Sequence, residues 1–194
     1  MLYGSCLTID EVGRVVDSTY VHDWDLKYAV EECDHCIAQP ASFIRRRVLD
    51  EVGYLDERLD GKHDHELWLR IGRAGTIMRT PDLFACERST PSYLSSRGDD
   101  VARACVSLTK KFYSAPESRT LVPRTRLSMS SAYLRGLDYA WKLGRKWRII
   151  LPYSAMVAFY RPSRTWLVAR RLRWMIAAEI RRLRAAPKGE NRRG

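Results

Sequence analysis

The sequence lacks the features that mark secreted, membrane-spanning or disulfide-built proteins. It has five cysteines among 194 residues, an odd number at scattered positions, so they do not predict a disulfide framework. No basic segment followed by an apolar run opens the chain, so we predict no signal peptide. The longest apolar stretch, residues 149–160, contains Pro152 and is shorter than the roughly 20 residues of a spanning helix. These absences predict a cytoplasmic protein, at most peripheral on the inner face of the plasma membrane.

Acidic residues are scarce in the second part of the chain. Residues 119–194 hold 19 Lys and Arg but only three Asp and Glu, whereas residues 1–118 hold 15 basic and 20 acidic residues. The overall charge of +11 therefore combines a mildly acidic first part with a strongly basic extension. Such an extension favours an anionic partner, which would be a phospholipid surface, a nucleic acid or a phosphorylated substrate.

Local patterns predict an α/β first part followed by helices. Short β-prone runs on either side of residues 10–13 predict a hairpin. The predicted strands are residues 2–9, 14–19, 41–46, 76–79 and 83–87, and the predicted helices are residues 25–33, 48–52, 64–74, 99–114, 127–143 and 165–185. We divide the chain into residues 1–118, a basic amphipathic helical extension over residues 119–186, and a disordered tail over residues 187–194.

The stretch from residue 39 to residue 70 carries the strongest chemical signal. A turn-rich loop leads into the helix predicted over residues 64–74, and the first turn of that helix holds two carboxylates, Asp64 and Glu66. A carboxylate held at the mouth of a helix could take a proton from a substrate hydroxyl. Taken alone, Asp64 would more often cap the helix by accepting a backbone N–H, and the two roles can use different oxygens. Arg70 is predicted to point away from the packed face.

Four short motifs follow one another in an order that is familiar from one enzyme family. They are Tyr3-Gly4-Ser5, Ile9-Asp10-Glu11-Val12-Gly13-Arg14-Val15, Gln39-Pro40-Ala41-Ser42-Phe43 and Asp64-His65-Glu66-Leu67-Trp68-Leu69-Arg70. Together they resemble the second half of family-two inverting glycosyltransferases, over roughly residues 2–113. These bacterial-type enzymes have the GT-A fold and build cell-surface polysaccharides and glycolipids. The resemblance implies an α/β fold consisting of a partial GT-A, Rossmann-like domain followed by the basic helical extension.

The resemblance also implies roles for the matching residues. Asp64 would be the general base that deprotonates an acceptor hydroxyl, which then attacks the anomeric carbon of a nucleotide-sugar with inversion. Glu66 would hold the acceptor or orient the loop. The other substrate-binding candidates are Gln39 and Pro40 facing the sugar or acceptor, His63 where the family often has Glu, Arg88, and Trp68, which would mainly pack the helix. Arg45 is added as a phosphate ligand because guanidinium groups match phosphate oxygens.

Two departures from the family pattern limit the implied function. No Gly-rich turn and no Asp-x-Asp metal motif precede Tyr3, and Arg88-Ser89-Thr90 stands where the family often has Arg-x-His. The divalent metal expected for the full-length family, Mg²⁺ or Mn²⁺, therefore has no obvious ligands in this chain. We expect the acceptor-side half of a larger enzyme, without the N-terminal nucleotide-binding half. Its partners would be a nucleotide-sugar donor and a saccharide or lipid-linked acceptor.

Other patterns leave alternatives open. A zinc site is conceivable but weakly supported, because one Cys-x-x-Cys without a second such pair is a poor signal; its candidate ligands would be Cys33, His35, Cys36, His63 and His65. The three arginines at residues 45–47 could bind a phosphate or could simply be solvated. Loss of the donor half could also leave a non-catalytic module that binds saccharide or membrane.

The last predicted helix interleaves arginines with tryptophans and aliphatic residues. Such a helix, within residues 161–185, can lie in the headgroup region of an anionic bilayer. The competing interpretation is a helix packed on the rest of the protein, with its arginines solvated. No recognisable recognition fold accompanies the basic residues, so we expect no specific nucleic-acid partner.

Overall fold

The computed structural model describes residues 1–19, 21–34, 37–59, 61–90, 98–118, 124–142 and 147–185, which form a mixed α/β fold. Its strands are β1 (Leu2–Ile9), β2 (Val15–Ser18), β3 (Ser42–Phe43) and β4 (Met78–Arg88). Its helices are α1 (Leu26–Glu31), α2 (Arg46–Val52), α3 (His63–Ala74), α4 (Gly98–Ser114), α5 (Thr125–Lys142), α6 (Trp147–Tyr160) and α7 (Thr165–Ala185). Short 3-10 turns, Gln39–Ala41 and Pro162–Arg164, precede β3 and α7.

The four strands form one mixed sheet around β1. This strand pairs antiparallel with β2 and β3 and parallel with β4. The hairpin predicted around residues 10–13 is confirmed, because β1 and β2 pair directly across that turn. The strand predicted over residues 41–46 is shorter than expected, because the 3-10 turn takes up its start and α2 begins at Arg46.

The prediction of two separate strands around Pro81 is wrong, because β4 runs through this proline without a break. Proline has no backbone N–H to donate to a ladder, so sheets tolerate it at edges and bulges. The register of β4 slips at this point. Tyr3 pairs with Arg79 but Ser5 pairs with Leu83, so β4 carries extra residues between these two pairs. The strand survives because the bulge removes Pro81 from regular pairing.

Helix α3 lies between the sheet and the remaining helices. On one side, Leu67, Trp68 and Ile71 pack in a cluster with Tyr3 of β1. On another side, Leu69 packs into a cluster built from α1, α4, α5, α6 and α7. The apolar face predicted for this helix is therefore confirmed, and the helix supplies side chains to both layers of the molecule.

The helical extension packs directly onto the first part of the chain. The predicted boundary near residue 118 falls between α4 and α5, yet both helices contribute buried side chains to one cluster. Arginines of the extension also meet the acidic residues at the end of α1 and just after it. These ion pairs are Arg124–Glu31, Arg135–Asp34 and Arg164–Glu32. Apolar packing and charge complementarity thus join the two parts.

The later helical predictions are confirmed where the structure describes them. α4 and α7 match the helices predicted over residues 99–114 and 165–185. Among the described residues, no helix combines the length and the apolar character needed to cross a bilayer. The junction at residues 119–123 and the tail predicted to be disordered, residues 187–194, lie outside the described residues.

Candidate functional site

The start of α3 holds the predicted general base. The helix begins at His63 with Lys62 in the N-cap position, and Lys62 makes no side-chain capping bond. Asp64 stands in the first turn, where the helix dipole favours a carboxylate. Its Oδ1 accepts the backbone N–H of His65 at 2.7 Å. Asp64 is therefore not the N-cap residue, and its partly exposed carboxylate can accept further hydrogen bonds.

A cavity of about 270 Å³ brings together residues from two separate motifs. It is lined by Gln39, Ser42, Ile44, Leu49, Tyr54, Leu55, Leu67 and Trp68. Gln39 and Trp68, both predicted to bind substrate, thus meet at one place. Asp64 is not among these lining residues. Residues four apart are neighbours on a helix, so Asp64 lies one turn before Trp68 on the same face of α3. We call this space the Gln39–Trp68 cavity.

Trp68 has a hydrogen-bonding group that the described residues do not satisfy. The residue is only 2% exposed, and its Nε1–H has no hydrogen-bond partner among the described residues. A buried indole N–H usually has a partner, because leaving such a donor unpaired costs free energy. This nitrogen is itself buried, and the residue packs in the cluster with Tyr3, Leu67 and Ile71.

Glu66 lies on a different side of α3 from Asp64, because residues two apart on a helix do not face each other. Its buried carboxylate accepts from Arg70 Nε at 3.0 Å and pairs with Lys111 Nζ at 2.6 Å. It lines a second cavity, of about 260 Å³, together with Arg70, Arg73 and Lys111. The two carboxylates of α3 therefore do not meet at one site.

Arg70 does not point away from the packed structure, contrary to the prediction. Besides Glu66, its guanidinium binds the backbone carbonyl oxygens of Val52, of Gly53 at 2.9 Å and of Tyr54 at 2.6 Å. An arginine offers five N–H donors, so it can hold a carboxylate and several carbonyls at once. The polar end of Arg70 thus fastens the loop after α2 onto α3.

Lys111 of α4 extends this arrangement to the next residues of the loop. Its ammonium lies 2.7 Å from the Oδ2 of Asp56 as well as 2.6 Å from Glu66. Hydrogen bonds from Arg58 and then from Lys111 hold the pKa of Asp56 well below its usual range. Glu66 was predicted either to hold the acceptor or to orient the loop, and these contacts fit the second role.

The other predicted substrate-binding residues lie elsewhere. Arg88 donates to two carbonyl oxygens of the β1–β2 turn at 2.7 and 2.9 Å, so it holds that turn. Arg45 is exposed just before α2, His63 is partly exposed at the start of α3, and Pro40 is exposed beside Gln39. None of these four residues lines the Gln39–Trp68 cavity.

The sequence raised two metals, the divalent cation expected for the family and a possible zinc ion. In the part of the chain that the structure describes, no group of three or more His, Cys, Asp and Glu side chains could hold a metal ion. Two members of the possible zinc set, His35 and Cys36, lie outside that part. Cys33 makes its contacts with α4, where its Sγ lies 3.7 Å from the carbonyl oxygen of Cys105.

Several residues of the site were missed by sequence reasoning. Asp56 and Lys111 are 55 positions apart, so no local pattern could connect them. Tyr54 and Leu55 follow a glycine in a polar loop, and nothing in their spacing indicated a cavity wall. Of these residues, Lys62 could most easily have been noticed in the sequence, because it stands at a helix start where Ser, Thr, Asp or Asn is usual.

Comparison with known proteins adds no family to this description. Searches of protein-family models, curated proteins and solved structures give no match to this chain. The case for a function therefore depends on the geometry around Asp64 and on the motifs of the sequence.

Proposed function

We propose that this chain is the acceptor-binding, base-carrying part of an inverting glycosyltransferase of the family-two type, with a partial GT-A domain. One observation carries the proposal. Gln39 and Trp68 come from two different motifs of the resemblance and line one cavity, and Asp64 lies on the same helix face. The mixed α/β architecture is compatible with this assignment, since GT-A domains belong to that class.

The chemistry of the Gln39–Trp68 cavity suits a sugar. Leucines and the Trp68 ring give an apolar wall for the C–H face of the ring, while Gln39, Ser42 and Tyr54 offer polar groups for hydroxyls. Its volume of about 270 Å³ lies just below the range of drug-sized ligand pockets, which begins near ~300 Å³. The cavity therefore fits a single sugar unit or the end of a longer acceptor.

In the proposed reaction, Asp64 accepts the proton of an acceptor hydroxyl as its oxygen attacks the anomeric carbon. The nucleoside diphosphate leaves from the opposite side of that carbon, which inverts its configuration. A positioned base of this kind contributes roughly 10²–10⁴ in rate. The Mg²⁺ or Mn²⁺ expected for the family would neutralise the leaving diphosphate. The described residues provide no ligand set for it, so no step is assigned to the metal here.

Acceptor binding is tested first, because it needs no donor. Ligand-observed NMR with a panel of monosaccharides, disaccharides and short lipid-linked saccharides should identify an acceptor for the wild-type chain. Gln39→Ala removes an exposed polar side chain that lines the cavity, so we expect affinity to fall about five- to tenfold, as for one lost hydrogen bond. Trp166→Phe, at an exposed position on α7, should leave binding unchanged. Failure of every saccharide to bind would contradict the proposal.

Transfer is tested with a panel of nucleotide-sugars, Mg²⁺ or Mn²⁺ and the acceptors that bind. The assay measures release of nucleoside diphosphate by this chain, and by this chain joined to any residues encoded in frame upstream of Met1. Asp64→Asn keeps the size of the side chain and removes its basicity, so turnover should fall at least about 10²-fold with little change in acceptor affinity. Near-normal turnover would refute the role of Asp64 as base.

A second candidate function is binding to an anionic membrane surface, and the outer side of α7 favours it. On the inner side of this helix, Val168 and Met175 are buried. The single acidic residue of the helix, Glu179, pairs with Arg182. The exposed outer side mixes apolar and cationic side chains, namely Trp166, Trp174, Ile176, Ile180, Arg170, Arg173, Arg181 and Arg184. Tryptophans and aliphatic residues surrounded by arginines suit the headgroup region of a bilayer.

Co-sedimentation with vesicles tests this second function. Binding to vesicles with a large phosphatidylglycerol fraction should exceed binding to pure phosphatidylcholine and should weaken with salt. Replacing Arg170, Arg173 and Arg181 together by Gln removes about 1 kcal/mol each, which predicts a loss of about 100-fold. Arg46→Gln and Val16→Ser change exposed residues on α2 and β2 and should have little effect. Equal binding to both vesicle types would count against a membrane role.

A further inference from the structure

The second cavity, of about 260 Å³, lies between α3 and α4. Its walls are largely apolar and are formed by Leu69, Leu108, Phe112 and Ala115. Charged side chains of both helices complete the lining. An apolar space with a few polar groups is the usual form of a small-molecule site in a protein. We call this space the α3–α4 cavity.

The charges around the α3–α4 cavity do not cancel. Both oxygens of the Glu66 carboxylate are engaged, because Arg70 donates to them and Lys111 pairs with one of them at 2.6 Å. In the network that includes the loop after α2, four cations meet three carboxylates. The pairs are Arg58–Asp56, Lys111–Asp56, Lys111–Glu66, Arg70–Glu66 and Arg73–Glu117. One positive charge is therefore in excess, which favours a ligand with one negative charge.

Arg73 is the cation of this cavity that has donors to spare. Its Nη1 donates to the hydroxyl of Ser118 at 2.9 Å and lies 3.9 Å from the exposed carboxylate of Glu117. Its Nε and Nη2 make no hydrogen bond to the described residues, although an arginine offers five N–H donors. Its guanidinium carbon lies 5.1 Å from the centre of the Phe112 ring, so the charge stands against an aromatic wall of the cavity.

The guanidinium of Arg70, in contrast, has no donor left for a ligand. Its N–H groups are shared between the Glu66 carboxylate and the carbonyl oxygens of Val52, Gly53 and Tyr54. An anion that enters the α3–α4 cavity therefore finds its binding group at the Arg73 end.

We propose that the α3–α4 cavity binds a small organic monoanion, a carboxylate attached to a short apolar body. The Nε and Nη2 edge of Arg73 donates to the two carboxylate oxygens, since guanidinium and carboxylate groups match as two forks. The apolar body packs against Leu108 and Phe112. Glu117 gives way at little cost, because its side chain is 67% exposed and its contact with Arg73 is long.

The size of the cavity limits the ligand. A volume of about 260 Å³ equals that of roughly nine water molecules at about 30 Å³ each, which suits hexanoate or benzoate. This site is independent of the proposed glycosyl transfer. The α3–α4 cavity shares no lining residue with the Gln39–Trp68 cavity, and its ligand needs neither a sugar donor nor Asp64.

Ligand-observed NMR titration of the full chain with hexanoate and benzoate tests the chemical class. Acetate keeps the charge but lacks the apolar body, so it should bind at least about tenfold more weakly than hexanoate. Benzyl alcohol keeps the ring but lacks the charge, so it should bind at least about tenfold more weakly than benzoate. Equal affinity within either pair would overturn the proposal, because one half of the site would then contribute nothing.

Variants of the lining test the location. Arg73→Gln removes the fork and should weaken benzoate binding at least about tenfold, whereas Arg73→Lys keeps the charge and should lose less. Ala115→Phe keeps every charge but fills the cavity, so it should abolish binding. Arg103→Gln changes an exposed arginine of α4 that does not line the cavity and should bind as the wild type does.

A photoreactive benzoate, 4-azidobenzoate, locates the site in the wild type without any substitution. Its label should map to residues 66–73 or 108–115, and an excess of benzoate should suppress it. This result decides the matter if Arg73→Gln or Ala115→Phe does not fold, as judged by circular dichroism. A label confined to the arginines of α7, no label in the two segments, or unchanged affinity in folded Arg73→Gln would overturn the proposal.

Discussion

At the level of single residues, the two carboxylates of α3 differ in what surrounds them. Asp64 is partly exposed, accepts the backbone N–H of His65 and acts on the charge of the buried Lys62. Glu66 is surrounded by Arg70 and Lys111, and these cations also hold the loop after α2. A partly exposed carboxylate suits proton transfer, and a paired carboxylate suits the fixing of a loop.

This difference predicts unequal effects on stability. Glu66→Gln leaves Arg70 without its buried counter-charge and leaves Lys111 with Asp56 alone, so we expect the free energy of unfolding to fall by about 2–3 kcal/mol. Asp50→Asn removes an exposed carboxylate that pairs with Arg46 at 4.0 Å. This change should alter the free energy of unfolding by less than about 0.5 kcal/mol. Urea unfolding measures both values. Equal effects of the two changes would show that the Glu66 contacts do not stabilise the loop.

The ionisation of Cys33 predicts a dependence of stability on pH. The pKa of this thiol is lowered from 9.0 to about 7 in the folded protein. An acid whose pKa is lower in the folded state adds stability as it ionises, so its contribution is complete above pH 9 and is lost as pH falls through 7. We expect reduced wild type to gain stability relative to Cys33→Ser between pH 7 and pH 9. Urea unfolding in the presence of a phosphine reductant measures this difference, and a difference that is flat or falls with pH would contradict it.

At the level of elements, the close approach of α5 and α6 depends on a missing side chain. A Cβ on Gly136 of α5 would lie 2.5 Å from a ring carbon of Tyr153 on α6 and 3.0 Å from the carbonyl oxygen of Ala102. Such distances are too short for packed atoms, so glycine is required here in spite of its low helix propensity. The two helices therefore pack in this arrangement because one of them has no side chain at the crossing.

The sign of the Gly136→Ala effect tests this packing. In a free helix, alanine stabilises by about 1 kcal/mol relative to glycine, but the collision with Tyr153 should outweigh this by roughly 1–2 kcal/mol. We therefore expect Gly136→Ala to lower the melting temperature of the wild type. In a Tyr153→Ala background, Gly136→Ala should lower the melting temperature less, or raise it, because the Tyr153 ring is absent. The same shift in both backgrounds would mean that Tyr153 does not contact this position.

At the level of the whole molecule, the acidic first part and the basic extension share one apolar core. Leu134 of α5 packs in the same cluster as Leu69 of α3 and Phe112 of α4. The ion pairs at the end of α1 add a salt-sensitive contribution to this contact. Four exposed arginines of α7, Arg170, Arg173, Arg181 and Arg184, lie on its outer side and can face an anionic surface.

Cooperativity tests the joint core. Leu134→Ala removes a buried side chain and should cost about 2–4 kcal/mol of unfolding free energy. Hydrogen exchange followed by mass spectrometry should then show faster exchange in α3 and α4 as well as in α5. Leu151→Ala changes a leucine that is 60% exposed on α6 and should stay within about 0.5 kcal/mol of wild type. Faster exchange confined to the helices after residue 124 would indicate two independent units.

The parts of the fold that follow from local pattern could be predicted. The apolar stripe of α3 and the turn around residues 10–13 rest on neighbouring residues, and both are confirmed. The separation of Asp64 from Glu66 also follows from helix periodicity, although the initial interpretation treated them as a pair. Pro81 was misjudged because its tolerance in β4 depends on a bulge against β1, which no local rule contains.

By itself, then, the amino-acid order determined the extents of α4 and α7 to within a residue, which stripe of α3 is apolar and where positive charge accumulates, because these properties depend on residues within one or two turns. Only the tertiary structure decided that Lys111 meets Asp56 and Glu66, that Cys33 meets Cys105, and that Gln39 shares a cavity with Trp68. Such meetings join positions far apart in the chain. They follow from how the layers pack, and the burial and charge that give a side chain its chemistry arise only once that packing has formed.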